Sequence, residues 1–97
     1  MAVYVDDARI PATVGRIRGR WSHLFADSQV ELHAFASRIG LRRSWFQPGR
    51  SYGGRPSRYW HYDVTDSMRE RAIRAGAVPV GIRDVRALLP RDGVTSP

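Results

Sequence analysis

Apolar residues along this chain come in short alternating runs, broken twice by a stretch of helical period, which is the pattern of a small sheet carrying helices. Residues 2–6, Ala-Val-Tyr-Val-Asp, are β-branched and aromatic and end in the acidic pair Asp6-Asp7, predicting a first strand. The stretch from Ile10 to Arg20 is looser. Pro11, Gly15 and Gly19 interrupt it, and Arg16, Arg18 and Arg20 recur at every second residue, so an extended chain would point all three the same way. It reads as a basic connector or an edge strand. Ser22 to Ala26 predicts the next strand, and Ser28-Gln-Val-Glu31 forms a capping box directly before Leu32, Phe35, Ala36 and Ile39. With Gly40 positioned for a left-handed C-cap, a helix over 28–39 follows.

Leu41 to Gln47, with Trp45 and Phe46, predicts a strand returning after that helix in a strand-helix-strand unit. Residues 48–58 hold glycines, prolines and arginines in loop composition and predict a mobile basic loop. Tyr59 to Thr65 is rich in strand formers, and Ser67-Met-Arg-Glu70 repeats the capping logic before a helix to about Ala75, with Gly76 as its stop. Val78 to Val80 predicts a short last strand whose Pro79 suits an edge, and Val85, Leu88 and Leu89 predict a short C-terminal helix. The elements together predict an α/β fold. A mixed sheet of four or five strands carries two main helices on one face, in a single compact domain over 1–90 with a flexible tail at 91–97. The recurrence of Asp-Ser-x-x-Glu at 27–31 and 66–70 reads as good capping chemistry met twice.

Composition narrows the chemistry. The chain has 97 residues and no cysteine, which excludes disulfides and thiolate metal sites and leaves His, Asp and Glu as the only strong ligands. No apolar run approaches the roughly 20 residues of a membrane span, and the N-terminus lacks the charge and apolar stretch of a signal peptide, so a cytoplasmic protein without membrane partners is expected. The net charge is +7, which predicts attraction to polyanions such as nucleic acid, nucleotides or an acidic protein surface. All 16 basic residues are arginine; that suits phosphate recognition, but a base-composition bias that replaces lysine throughout accounts for it more simply.

Alternation from Trp60 to Val64 puts His61 and Asp63 on one face and Trp60, Tyr62 and Val64 on the other. If Asp6 and Asp7 end a neighbouring strand, then Asp6, Asp7 and Asp63 as metal ligands, with His61, Asp63 and His23 as catalytic groups, form a candidate site. A divalent ion such as Mg or Mn would be its cofactor, and hydrolysis of a phosphodiester or nucleotide its reaction. The alternative is a satisfied polar pair of histidine and carboxylate on a strand, with the acidic pair capping a turn. His33, beside Leu32 in the first helix, reads as a boundary residue of the core. A second candidate is a phosphate- or nucleic-acid-binding surface of Arg16, Arg18 and Arg20 with Arg50, Tyr52, Arg55 and Arg58, where basic and aromatic residues interleave. No Walker loop, Gly-x-Ser-x-Gly or His-Glu-x-x-His motif occurs.

Tyr4-Val-Asp-Asp7, Trp21-Ser-His-Leu24, Glu31-Leu-His-Ala-Phe-Ala36, Trp45-Phe-Gln47 and His61-Tyr-Asp-Val-Thr65 together resemble a family of short bacterial and phage proteins, the domain of unknown function numbered 4031. The resemblance spans almost the whole chain. It implies a stand-alone single domain and carries no established activity. Three functional classes therefore stand: a metal-assisted hydrolase, a non-catalytic nucleic-acid-binding module, and a phage or host interaction protein.

Overall fold

One mixed sheet of six strands carries the chain in the computed structural model, which describes residues 2–49, 53–54 and 57–88. The strands are β1 (Val3–Val5), β2 (Ile10–Val14), β3 (Ile17–Ala26), β4 (Phe46–Gln47), β5 (His61–Thr65) and β6 (Val78–Pro79), and the helices are α1 (Gln29–Arg38), α2 (Asp66–Arg74) and α3 (Val85–Leu88). The sheet order is β4-β5-β3-β1-β6, with β2 paired to the first half of β3. All pairings are antiparallel except that of β6 with β1.

The strand count exceeds the expected four or five because Ile10 to Arg20 is neither connector nor simple edge strand. It folds as a hairpin whose two-residue loop is Gly15-Arg16, with Val14 paired to Ile17. Gly15 has φ +61°, the left-handed value that such loops require at their first position and that glycine adopts without a Cβ penalty. Arg16 therefore lies in the turn, and only Arg18 and Arg20 share the alternation of β3. The predicted strand over Leu41 to Gln47 is shorter than expected. The amide of Leu41 closes α1 on the carbonyl of Ala36 at 2.9 Å, Arg43–Trp45 forms a 3₁₀ turn, and only Phe46 and Gln47 reach β5.

α1 begins as its capping box requires, with the Ser28 hydroxyl accepting from the Glu31 amide at 3.2 Å. α2 differs. Its cap is Thr65, the last residue of β5, whose hydroxyl accepts from the Met68 amide, so Ser67 is already inside the helix and Asp66 faces the positive end of the dipole. Strand alternation sends Val3, Val5, Leu24, Ala26, Tyr62 and Val64 to the face where both helices pack. There they meet Leu32, Phe35 and Ala36 of α1 and Ala72 of α2. Trp60 joins this cluster at 1% exposure. His33 lies at its edge, within 2.8 Å of the Tyr62 hydroxyl. No helix among the described residues is long and apolar enough to cross a membrane.

The other sheet face carries the residues of opposite parity: Tyr4, His23, Phe25, His61 and Asp63. Tyr4 stacks on Phe25 there, with ring centroids 5.3 Å apart. No main helix covers this face.

Candidate metal centre

A bulge in the sheet builds the site. β1 and β2 both run antiparallel to β3, pairing Val5 with Leu24 and Ile10 with Trp21, so four residues (6–9) stand opposite two (22–23). Such an insertion bends the strand and re-aims its side chains. Arg9 closes it at φ +46°, a value uncommon outside glycine. Its amide donates to the Ser22 hydroxyl at 3.1 Å and its guanidinium makes a two-nitrogen contact with Asp66. Inside the bulge the Asp6 carboxylate replaces a backbone carbonyl in the ladder. Its Oδ1 accepts from the amides of His23 at 2.9 Å and Ala8 at 3.1 Å, and its Oδ2 accepts from His23 Nδ1 at 2.7 Å. The Asp6 amide donates back to the His23 carbonyl, and Arg69 Nε donates to the Asp6 carbonyl.

Asp6 is fully buried, and burial alone would raise its pKa. The hydrogen bonds from the His23 ring and from the His23 and Ala8 amides outweigh that and hold it below the usual carboxylate range. The same contact, ahead of the opposing effect of burial, raises the pKa of His23. An ionised carboxylate only accepts, so Nδ1 of His23 carries the proton and Nε2 is the ring atom free to bind something else.

His61 is oriented in the same way by a different partner. Its Nδ1 lies 2.7 Å from the carbonyl of Tyr59, which also only accepts, so the proton again sits on Nδ1. Its Nε2 then lies 3.2 Å from Asp63 Oδ1. A lone pair facing a carboxylate oxygen at that distance is repulsive unless a positive charge, a second proton or a metal ion, stands with it. Asp63 is held below the usual carboxylate range first by its contact with His61, against the effect of burial and with the His23 charge assisting.

Register brings the two histidines together, because His23 lies directly across from Asp63 in the β3–β5 pairing. The His23 and His61 rings meet edge to face, with centroids 4.9 Å apart. One ligand atom each from His23, His61 and Asp63 falls within 4.8 Å of the others, and all three side chains are 23–32% exposed, open to solvent on one side. Imidazole nitrogens and carboxylate oxygens are the donors that zinc takes at bond lengths of about 2.0–2.2 Å. Asp6 serves His23 from behind, the carboxylate–histidine arrangement that fixes tautomer and ring orientation in metal sites.

A cavity of about 270 Å³ opens beside the two histidines, lined by Phe25, Tyr59 and Trp60 and by Ile82, Val85 and Arg86. The latter three come from the C-terminal segment, which Asp7 anchors by accepting from the Ile82 amide at 2.8 Å.

The structure thus brings His23, His61 and Asp63 together and puts Asp6 behind His23, while Asp7 lies outside this set. Arg18 and Arg20 project to the sheet face opposite His23, since Trp21 and His23 share the other parity. Arg58 lies over the Tyr59 ring at 5.7 Å. Arg50, Tyr52 and Arg55, along with Leu89 and the tail at 91–97, lie outside the described residues. Sequence reasoning missed the Tyr59 carbonyl and the wall supplied by Ile82, Val85 and Arg86. Neither leaves a residue-type signature, because one is a backbone atom and the other a long-range contact.

No curated protein and no solved structure matches the chain. The model of one family, described as a protein of unknown function (DUF4031), matches residues 3–92, and the chain belongs to that family.

Proposed function

We propose that the chain binds one divalent transition-metal ion through His23 Nε2, His61 Nε2 and Asp63, and uses it to hydrolyse a phosphoester. One observation carries the reading: both imidazoles are anchored through Nδ1, which leaves the Nε2 lone pair of each to a further partner, and one ligand atom each from His23, His61 and Asp63 lies within 4.8 Å of the others. The donor set selects the metal class. Imidazole suits zinc, iron, nickel or copper, whereas magnesium prefers oxygen ligands, and manganese stands between.

An ion held there supplies Lewis acidity to a phosphoryl oxygen and lowers the pKa of a coordinated water. The protein does the rest. Asp6 and the Tyr59 carbonyl hold the two rings in the ligating tautomer, so no proton has to change nitrogen on binding. The cavity beside the cluster is walled largely by apolar side chains, and Arg86 on that wall supplies a positive charge to neutralise the one that develops on phosphoryl oxygens. In the reaction the water oxygen bonds to phosphorus and the ester P–O bond breaks. The attacking water gives its proton to solvent, and the leaving alcohol takes one up. The net charge of +7 favours the approach of an anionic substrate.

Titration calorimetry of the metal-free chain tests this. Zinc is expected to bind one per chain and far more tightly than magnesium, with His61→Ala and Asp63→Ala each abolishing tight binding. The loaded chain is expected to hydrolyse p-nitrophenyl phosphate or its diester, and both variants to lose that activity. Zinc affinity unchanged in the two variants would sink the proposal.

A further inference from the structure

We infer that the cavity beside the histidines seats the base of a nucleotide, with the phosphate lying between the His23/His61/Asp63 cluster and Arg86; the inference rests on the metal-centre reading above.

Three features of the cavity select this ligand. Its volume of about 270 Å³ lies just under the usual small-molecule range of about 300–1,000 Å³, so it accommodates one compact group rather than an extended chain. Its wall is largely apolar and rich in rings, with Phe25 and Trp60 buried and Tyr59 left 47% exposed at the rim. An exposed aromatic ring beside a cation is a platform on which bases stack without sequence preference; Tyr59 is that ring, and Arg58, 5.7 Å from its centroid, extends it. Arg86 forms no ion pair among the described residues, and Asp6, the one acidic residue on the wall, is committed to His23.

An apolar cavity beside the His23/His61/Asp63 cluster, with the Arg86 guanidinium on its wall, fits a flat group joined to a phosphate. Inorganic phosphate would leave the cavity unused, and a nucleoside would leave Arg86 unused. The same chemistry is offered by a free mononucleotide and by the phosphorylated end of a strand.

Binding, rather than turnover, tests the inference. Adenosine 5′-monophosphate, adenosine and inorganic phosphate are titrated calorimetrically into the zinc-loaded and the metal-free chain. The monophosphate is expected to bind at least about tenfold more tightly than either fragment, since it engages both the stacking ring and the charged groups. Tyr59→Ala is expected to weaken adenosine and its monophosphate by roughly five- to a hundredfold and to leave phosphate unchanged, with Tyr59→Phe restoring the parent value. Arg86→Ala is expected to weaken the monophosphate and phosphate and to spare adenosine. A 5′-phosphorylated tetranucleotide that binds more tightly than the monophosphate identifies a strand end as the source; one that binds more weakly identifies the free nucleotide.

Phosphate binding as tightly as the monophosphate, or a monophosphate affinity indifferent to Tyr59→Ala, would overturn the inference and leave the metal centre standing. Base-dependent monophosphate binding by a chain that takes up no zinc would overturn the metal centre instead and leave the base site.

Discussion

Asp6→Asn is expected to lower zinc affinity by about 10–100-fold, the usual effect of removing an outer carboxylate from a ligating histidine, while the chain stays folded. The direction follows from the hydrogen bonds. The amides of His23 and Ala8 both donate to Oδ1, and the amide oxygen of asparagine can take that place. Its NH₂ then occupies the position of Oδ2, 2.7 Å from His23 Nδ1, where it can only donate. The imidazole must accept at Nδ1 and move its proton to Nε2, the atom needed by the metal. Two of the three hydrogen bonds to the carboxylate survive, so the stability loss is expected to stay at about 1.5–3 kcal/mol, that of one charged hydrogen bond. Parallel zinc titration and thermal denaturation check both halves. Zinc affinity equal to that of the parent in a folded Asp6→Asn chain would remove Asp6 from the site.

Trp60→Ala is expected to cost about 3–5 kcal/mol, the range for deleting a large buried aromatic side chain. For a domain of this size that lowers the melting temperature by roughly 15 °C or more. The indole is 1% exposed, belongs to the core cluster shared with the helices, and also lines the cavity on the opposite side. Its removal therefore opens the wall between core and cavity as well as deleting contacts. Tyr59→Ala at the neighbouring, half-exposed position is the control, with an expected loss within about 0.5 kcal/mol. Denaturation followed by circular dichroism separates the two. Equal losses would mean that Trp60 is not the wall described.

Much of the fold was legible because its signals are local. The period-2 run at 60–64 placed His61 and Asp63 on one face, and the capping box at Ser28 with Gly40 fixed the first helix to within a residue at each end. Pro79 marked an edge strand, and β6 is the sheet's edge. What failed depended on contacts distant in sequence. Thr65 replaced Ser67 as the cap of α2 because β5 runs on to Thr65, leaving no linker between strand and helix. The hairpin over 10–20 was obscured by Pro11 and Gly19, both tolerated where a strand pairs on one side only.

The site shows the same division. His61 and Asp63 lie two residues apart, and period alone joins them. His23 joins them only through the register of β3 on β5, which no local pattern specifies. Asp6 and Asp7 looked equivalent in the sequence, both ending a strand. The bulge separates them, turning one carboxylate onto His23 and the other onto the Ile82 amide.

Nitrogen-15 NMR of the histidine rings tests most directly whether two Nε2 atoms await a metal. The account predicts that His23 and His61 both carry the proton on Nδ1 when neutral, and that stoichiometric zinc shifts the Nε2 resonance of each while leaving His33 unmoved. Zinc that binds without shifting either Nε2, or rings found protonated on Nε2 instead, would contradict it.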